Sequence, residues 1–140
     1  MLLNRIRTSM VCVHEQKILV FNAIDPHSQK HYWFLPGGKI EEGEAPWVCA
    51  ERETLEETGY RVAALKESQI VKEYTHEWNG HQYLSKTFFL KGFLIEVWHE
   101  PRPVVDAAYN KGAQWMDLTD AIDYFGYCPE IQAAVRDLTS

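Results

Sequence analysis

The sequence has no long run of apolar residues and few cysteines, with three among 140 residues. Its apolar stretches all fall short of the roughly 20 residues that a transmembrane helix needs, so we expect no membrane span. The first residues, MLLNRIRTSMV, lack a basic region followed by an apolar core, so we expect no signal peptide. Cys12, Cys49 and Cys128 lie far apart without C-x-x-C spacing, which predicts reduced, buried thiols in a cytoplasmic protein.

Positive charge is also scarce. The sequence has 14 lysines and arginines and 20 aspartates and glutamates, which gives a net charge of −6. This balance disfavours binding to the phosphate backbone of nucleic acid. A small polyanion would have to be admitted by local lysines and arginines or by a bound metal. The chain has no internal repeat, low-complexity stretch or linker, and an ordinary apolar content of 46%. We therefore expect a single domain spanning residues 1–140.

What the sequence does contain is a segment, GKIEEGEAPWVCAERETLEETGY, in which acidic residues recur at fixed spacing from Gly38 onward. On a helix, Glu53, Glu56 and Glu57 would fall within an arc of about 100°, where like charges repel one another. A hard divalent cation such as Mg²⁺ or Mn²⁺ would offset that repulsion, since it prefers carboxylate oxygens. The alternative interpretation is a solvated acidic helix face.

Turn-forming residues mark both ends of this segment. Residues 35–39 contain adjacent glycines and are expected to form a loop. Pro46 suits the first turn of a helix and Gly59 the left-handed position that ends one, so we predict a helix from residue 45 or 46 to residue 58. Three apolar side chains project away from the acidic arc and are expected to be buried: Trp47, Val48 and Leu55.

Strand-like segments surround the predicted helix. They cover residues 5–14, 17–21, 32–34, 60–65, 70–78, 81–90 and 113–116. The pair Asn79-Gly80 between two of them predicts a hairpin. Loops are expected at 25–30 and 101–111, while Asp117 or Thr119 would cap a short helix and Pro129 would begin a last one. This interleaving predicts a mixed sheet covered on both faces.

The acidic segment resembles the Nudix box, whose pattern is G-x5-E-x7-R-E-U-x-E-E-x-G-U with U a bulky apolar residue. All seven fixed letters match, at Gly38, Glu44, Arg52, Glu53, Glu56, Glu57 and Gly59. The U positions differ, because they hold Thr54 and Tyr60, which affects local packing more than chemistry. The resemblance implies a Nudix-type α/β/α sandwich with a mixed β-sheet and a loop–helix–loop catalytic motif.

Nudix enzymes hydrolyse a nucleoside diphosphate linked to another moiety, with divalent metals that neutralise phosphoryl charge and activate water. The resemblance therefore implies Mg²⁺ or Mn²⁺ as the cofactor, with these metal ligands: Gly37 through its carbonyl, Glu53, Glu56 and Glu57. Glu53 would serve as ligand or general base, and Arg52 and Glu44 would orient the carboxylates. Arg52 is spaced to pair with Glu44, with Glu56, or with both.

Several residues near the box are candidates for substrate binding, namely Gly38, Lys39, Arg5, Arg7, Trp33 and Leu35. Each has a plainer interpretation as well: Lys39 as a solvated side chain, Arg5 and Arg7 as an exposed strand face, and Trp33 as part of the core. Family members often recruit a further acidic residue from a later loop. Glu100 and Asp106 are the candidates for this role here, or else ordinary polar loop residues.

The six histidines show no metal-ligand spacing and are expected to be surface or hydrogen-bonded residues. Tyr74 lies near, but not on, a position that marks subfamilies, and the proline expected of ADP-ribose hydrolases is missing from residues 71–83. These markers therefore do not assign a substrate.

Two classes of function fit these observations. The first is a metal-dependent pyrophosphohydrolase of small nucleotides, with nucleoside triphosphates favoured over ADP-ribose, dinucleoside polyphosphates and RNA 5′ ends. The second is a non-catalytic Nudix-like module that senses a nucleotide. The enzyme is favoured, because the chain keeps every glutamate of the box. We also expect a nucleotide as the partner and leave a homodimer open.

Overall fold

Eight strands and three α-helices occur in residues 1–95 and 109–140, which are the residues that the computed structural model describes. The strands are β1 (Leu2–His14), β2 (Lys17–Ile24), β3 (His31–Phe34), β4 (Gly37–Lys39), β5 (Val62–Ala64), β6 (Ile70–Trp78), β7 (His81–Leu94) and β8 (Asn110–Asp117). The α-helices are α1 (Pro46–Thr58), α2 (Leu118–Tyr124) and α3 (Pro129–Thr139). Short 3₁₀ helices cover Lys66–Ser68 and Phe125–Tyr127.

The strands form a mixed sheet with the order β3-β2-β1-β7-β5. Strand β4 is added to β1, β6 to β7 and β8 to β2. The long central pair, β1 and β7, is parallel and runs from Leu2 opposite Gln82 to Cys12 opposite Gly92. The other pairs are antiparallel, including the β6–β7 hairpin that the Asn79-Gly80 turn predicted.

Helices cover both faces of this sheet, because each central strand sends alternate side chains into two apolar clusters. On β1, Val11 belongs to the cluster that includes Phe125 of the second 3₁₀ helix and Val135 of α3. Its neighbour Met10 belongs to the cluster that includes Ala50 of α1. The predicted α/β/α sandwich with a mixed sheet is therefore confirmed.

Helix α1 has the predicted bounds but buries a different face. It begins at Pro46, and Gly59 ends it with a positive φ of 79° while donating its N–H to Leu55. Small residues make the contact with the sheet, and Thr54 satisfies its hydroxyl on the Ala50 carbonyl at 2.6 Å. The prediction that Val48 is buried is wrong, since it is 46% exposed. Small side chains allow a close approach of the helix, and this turns Val48 outward.

The predicted loop at 35–39 is wrong in its second half, where Gly37–Lys39 forms strand β4 against β1. A Cβ added to Gly37 would lie 1.9 Å from the carbonyl oxygen of Thr8. The glycine thus allows two backbones to approach each other. The strand predicted at 113–116 is also longer, since β8 begins at Asn110.

The buried carboxylate of Asp25 connects the β2–β3 loop to the tip of the β6–β7 hairpin. Oδ1 of Asp25, after β2, accepts backbone N–H groups of His27 at 2.8 Å, of Ser28 at 3.3 Å and of Asn79 at 3.1 Å. Burial opposes ionisation of Asp25, yet these N–H groups lower the pKa of the carboxyl overall. The tip of the β6–β7 hairpin is therefore tied to the β2–β3 loop.

The three cysteines are buried and free, as predicted. Burial raises the pKa of Cys12 to about 12 and that of Cys49 to about 11, so neither thiol is a ready nucleophile. Within the described ranges, no helix has the length and apolar character needed to cross a membrane.

Candidate active site

A cavity of about 330 Å³ lies where α1, β1, β4 and β6 meet. Glu53 and Glu57 of α1 border it at one end, beside Gly37 and Gly38 of β4. The fold therefore brings two carboxylates of the acidic arc to the edge of a concave site, which is where ligands bind in most proteins.

Glu57 is fixed by the backbone of the neighbouring strand. Its side chain is buried, with 5% of the residue exposed, and Oε1 accepts the N–H of Gly37 at 2.7 Å. A buried carboxylate that accepts such a bond keeps one orientation relative to the cavity.

Arg52 forms ion pairs with glutamates of the segment, including Glu44, Glu53 and Glu56. Its Nε and Nη2 bind the two carboxylate oxygens of Glu44 at 2.8 and 3.0 Å. Its Nη1 lies 3.0 Å from Oε1 of Glu53 and 3.2 Å from Oε2 of Glu56. The hydrogen bonds from Arg52 lower the pKa of Glu44 to about 2, and the bonds to Glu44 raise the pKa of Arg52. Arg52 thus pairs with both of the partners that its spacing allows.

Glu53 lies in a more apolar setting than a surface carboxylate. Burial raises its pKa, and the negative charge of Glu56 adds to this, while the charges of Arg52 and Arg7 oppose it. A Cβ added to Gly38 would lie 2.6 Å from Oε2 of Glu53. The Glu53 carboxylate therefore occupies space that only a glycine leaves open.

The donor set suits a divalent cation, because Glu53, Glu56 and Glu57 supply the hard oxygen ligands that Mg²⁺ and Mn²⁺ prefer. Across residues 1–95 and 109–140, no three histidine, cysteine or acidic side chains converge in one metal-binding group. Glu53 and Glu57 border the cavity, whereas the Glu56 carboxylate faces Arg52. Glu53 and Glu57 fit a metal by chemistry and by their position at the cavity, next to Gly37, whereas Glu56 fits by chemistry alone and is paired to Arg52.

Two arginines of β1 form a cationic part of the cavity lining. Arg5 is held by Ser85, with its Nε 2.8 Å from the hydroxyl, and lies over the ring of Tyr83 at 4.2 Å. Arg7 has a buried Nε with no hydrogen-bond partner. Burial and the charge of Arg7 lower the pKa of Arg5 to about 10. Neither arginine forms an ion pair with any carboxylate in the described part of the chain.

Aromatic side chains form a further part of the lining, and sequence reasoning missed most of them. They come from β3, β6 and the C-terminal part of the chain, namely Phe34, Tyr74, Trp78, Tyr109, Phe125 and Tyr127. A signal was present on β6, where Tyr74, His76 and Trp78 alternate and so share one strand face. The C-terminal members could not be found this way, because only tertiary folding brings them to the cavity.

His76 lies within this aromatic group, so the expectation of a surface or hydrogen-bonded histidine is wrong for this position. The imidazole contacts the rings of Tyr32 and Phe34, with ring centroids 6.2 and 5.8 Å apart. Burial and the charges of Arg5 and Arg7 lower its pKa to about 4. His76 is therefore neutral at physiological pH.

The structure brings most, but not all, of the substrate-binding candidates to the cavity. Gly38, Lys39, Arg5, Arg7 and Leu35 line it. Trp33 packs against the apolar cluster on the α3 side, and Phe34 reaches the cavity instead. Trp33 and Phe34 are adjacent on β3, so their rings project to opposite faces of that strand. Glu100 and Asp106 lie outside the described residues.

Comparison with known families gives one match over nearly the whole sequence. Residues 3–137 match the NUDIX domain. An RNA pyrophosphohydrolase from Bartonella henselae is 31% identical over 124 residues, which are 80% of this chain and 66% of that protein. The chain thus spans slightly less than two thirds of that relative. The asymmetrical bis(5′-nucleosyl)-tetraphosphatase of Caenorhabditis elegans is 30% identical over 97 residues, which are 69% of this chain and 67% of that protein.

Solved structures agree on the fold. A NUDIX hydrolase from Nitrosomonas europaea superposes with a TM-score of 0.69 at 22% identity, covering 96% of this chain and 87% of the other. A C. elegans Ap4A hydrolase binary complex gives 0.66 at 22% identity, covering 96% and 95%. The intact acidic segment, the sandwich fold and the domain match lead to one conclusion: the chain belongs to the Nudix family.

Proposed function

We propose that this protein is a divalent-metal-dependent hydrolase of pyrophosphate bonds in nucleotides, and that nucleoside triphosphates, cleaved to the monophosphate and pyrophosphate, are its substrates. One observation carries the proposal. A single cavity is lined by two carboxylates of α1, by two arginines of β1 and by a group of aromatic side chains. The carboxylates match the metal-bound phosphates of a nucleotide, and the arginines match its remaining phosphate charge. The aromatic group matches the base.

The arginines support an anionic ligand. Arg5 and Arg7 are two residues apart on the same face of β1 and oppose each other's charge, as the lowered pKa of Arg5 reflects. Partly buried positive charges are stabilised by an opposite charge, and no carboxylate of the described residues forms an ion pair with either arginine. Phosphate oxygens would satisfy the open donor of Arg7 and offset the repulsion.

The aromatic side chains support a base in the same cavity. Phe34 and Trp78 lie edge to face at a centroid distance of 5.4 Å, and Trp78 meets Tyr109 in the same way at 5.7 Å. Stacking of a base on an aromatic ring contributes about 1–3 kcal/mol. A nucleoside is therefore a better occupant of this cavity than an inorganic polyphosphate.

The carboxylates supply the chemistry. When bound, Mg²⁺ or Mn²⁺ neutralises phosphoryl charge and makes a water molecule more acidic. Glu53, Glu56, Glu57 and the Gly37 carbonyl would hold the ion, and Arg52 with Glu44 would orient Glu53 and Glu56. Glu53 borders the cavity and can accept a proton from the attacking water as general base.

A second candidate is hydrolysis of a dinucleoside polyphosphate or of the 5′ end of RNA. The names of two relatives, a tetraphosphatase and an RNA pyrophosphohydrolase, favour it. The net charge of −6 weighs against RNA. A non-catalytic nucleotide sensor is less well supported, since the complete set of box glutamates would then have no use.

A substrate panel tests the proposal. We would measure kcat/KM with Mg²⁺ and with Mn²⁺ for the four nucleoside triphosphates, ADP-ribose, a diadenosine polyphosphate and 5′-triphosphate RNA, detecting released phosphate or pyrophosphate. The highest value is expected for a triphosphate, and EDTA should abolish turnover. A higher value for any of the other three would replace the substrate class, and undiminished turnover in EDTA would refute the metal. The single-domain organisation, cytoplasmic location and homodimer stay predictions.

A further inference from the structure

We propose that His76 is a specificity-determining residue of this cavity, whose imidazole hydrogen-bonds the polar edge of a nucleobase. The inference rests on the proposed function in one respect, namely that the ligand is a nucleotide. It does not depend on which phosphate compound is cleaved.

The position of His76 is set by strand alternation. His76 shares its strand face with Tyr74 and Trp78, and all three side chains line the cavity. Its ring meets the edge or face of Phe34 at an interplanar angle of 78° and that of Tyr32 at 73°. The imidazole is thus held by aromatic rings, beside aromatic lining that suits a flat base.

The polar atoms of this imidazole have no hydrogen-bond partner among the residues that the structure describes. Among residues 1–95 and 109–140, its contacts are ring contacts, with no hydrogen bond from a side chain or the backbone. Tyr74 at the neighbouring position differs, because its hydroxyl is bonded to Thr87 at 2.9 Å. A half-buried polar group without a partner is unfavourable unless a ligand or water bonds to it. His76 is therefore available to a ligand in the cavity.

The charges around His76 determine which part of a ligand its imidazole binds. The arginines of β1 disfavour a protonated imidazole, and Asp25, the acidic group that acts on it in the opposite sense, does not overcome them. A neutral imidazole offers one donor and one acceptor and attracts a phosphate less than the neighbouring arginines do. Nucleobase edges present the same mixture of donors and acceptors. The aromatic neighbours favour the base over a ribose hydroxyl, because their faces match a planar ring.

The test is a measurement of base preference by calorimetry. Dissociation constants for AMP, GMP, CMP and UMP, and for the deoxy form of the tightest binder, would be measured for the wild type and for His76→Phe and His76→Gln. The matched control is His81→Phe, an exposed histidine on the same hairpin that does not line the cavity. Because binding needs no turnover, the outcome is separate from that of the substrate panel. Base-selective binding without hydrolysis would refute the proposed activity and leave this inference standing.

We expect the wild type to prefer one base by tenfold or more, His76→Phe to reduce that preference at least fivefold, and His81→Phe to leave it unchanged. For the best triphosphate, His76→Phe should raise KM several-fold and keep kcat within about twofold, as expected for lost ground-state binding. Equal affinity of the wild type for all bases, an unchanged preference in His76→Phe, or a loss that follows the 2′-hydroxyl would overturn the inference. If His76→Phe does not fold, a changed order of preference in His76→Gln supports it and an unchanged order refutes it.

Discussion

The backbone N–H of Gly37 donates a 2.7 Å hydrogen bond to Oε1 of Glu57, and this bond joins β4 to α1 at the edge of the cavity. It connects a residue of the glycine pair to the last glutamate of the acidic arc, 20 positions later in the sequence. Strand β4 and helix α1 are thus held together by the side chain that is also expected to bind metal.

Glu57→Gln removes the charge of this carboxylate and keeps its shape. An amide oxygen can still accept the Gly37 N–H, so the fold should persist with an unchanged urea midpoint. We expect kcat/KM for the best substrate to fall by about 100-fold or more, because a charged metal ligand is lost. Glu42→Gln, an exposed glutamate of the same segment, is the control and should keep near-normal activity. Full activity of Glu57→Gln would remove this residue from the metal set.

Substitution of the two glycines of β4 by alanine is expected to have different effects, on stability at Gly37 and on activity at Gly38. In Gly37→Ala the new Cβ would meet the Thr8 carbonyl at 1.9 Å, so the β1–β4 pairing must shift, at a cost of about 3 kcal/mol or more in stability. In Gly38→Ala the clash is with the flexible end of Glu53, so stability should change by about 1 kcal/mol or less. Its kcat/KM should nevertheless fall about tenfold, since the carboxylate is displaced. Urea unfolding and steady-state kinetics would separate the two, and equal stability losses would contradict the assignment.

Arg52→Lys tests whether the guanidinium orients the carboxylates. A lysine keeps the charge but cannot bond both oxygens of Glu44 while also reaching Glu53. We expect a 10- to 100-fold loss of kcat/KM and a higher Mg²⁺ concentration at half-maximal rate. A magnesium titration of the rate checks this, and an unchanged titration curve would show that Arg52 has no part in positioning the metal ligands.

The identity of the general base is tested by three substitutions measured together. Because Glu53 borders the cavity, Glu53→Gln should lower kcat by about 100-fold or more, while Glu100→Gln and Asp106→Asn should have smaller effects. The opposite pattern would place the base between β7 and β8. A pH–rate profile alone does not decide, since coupled carboxylates titrate as a group.

His76 should make stability depend on pH. Its folded pKa of about 4 lies below the ordinary histidine pKa of 6.5, so between these values the unfolded chain binds more protons and stability falls as pH falls. The wild type should therefore lose on the order of 1–2 kcal/mol more than His76→Phe between pH 7 and pH 5. Urea unfolding at both pH values measures this. An equal loss in both proteins would show that His76 is not held in the neutral form.

The sequence predicted the helix and the hairpin whose bounds are set by residues at their own ends. The bounds of α1 follow from Pro46 and Gly59, and the hairpin follows from Asn79-Gly80, because these residues act on the backbone where they stand. Helical periodicity likewise predicted that Glu53 and Glu57 share one side of α1, where both now border the cavity.

Features that depend on contacts between distant segments were not predictable in this way. Strand β4 forms because Gly37 can approach Thr8, 29 positions earlier, and neither residue signals this alone. The lowered pKa of His76 likewise depends on burial and on Arg5 and Arg7, which lie on another strand. The outward orientation of Val48 follows from the small residues beside it, and a helical wheel does not weigh side-chain size.

The parallel pairing of β1 with β7 has a consequence for how the chain acquires its structure. Each contact in this pair joins residues 80 positions apart, from Leu2 with Gln82 to Cys12 with Gly92. Closing so large a loop costs entropy before any contact compensates, and pairings of this kind slow folding. During synthesis, strand β1, which carries Arg5 and Arg7, stays incompletely paired until β7 has left the ribosome. The cationic part of the cavity therefore forms only after β7 has been made, although its residues precede their β7 partners by 80 positions.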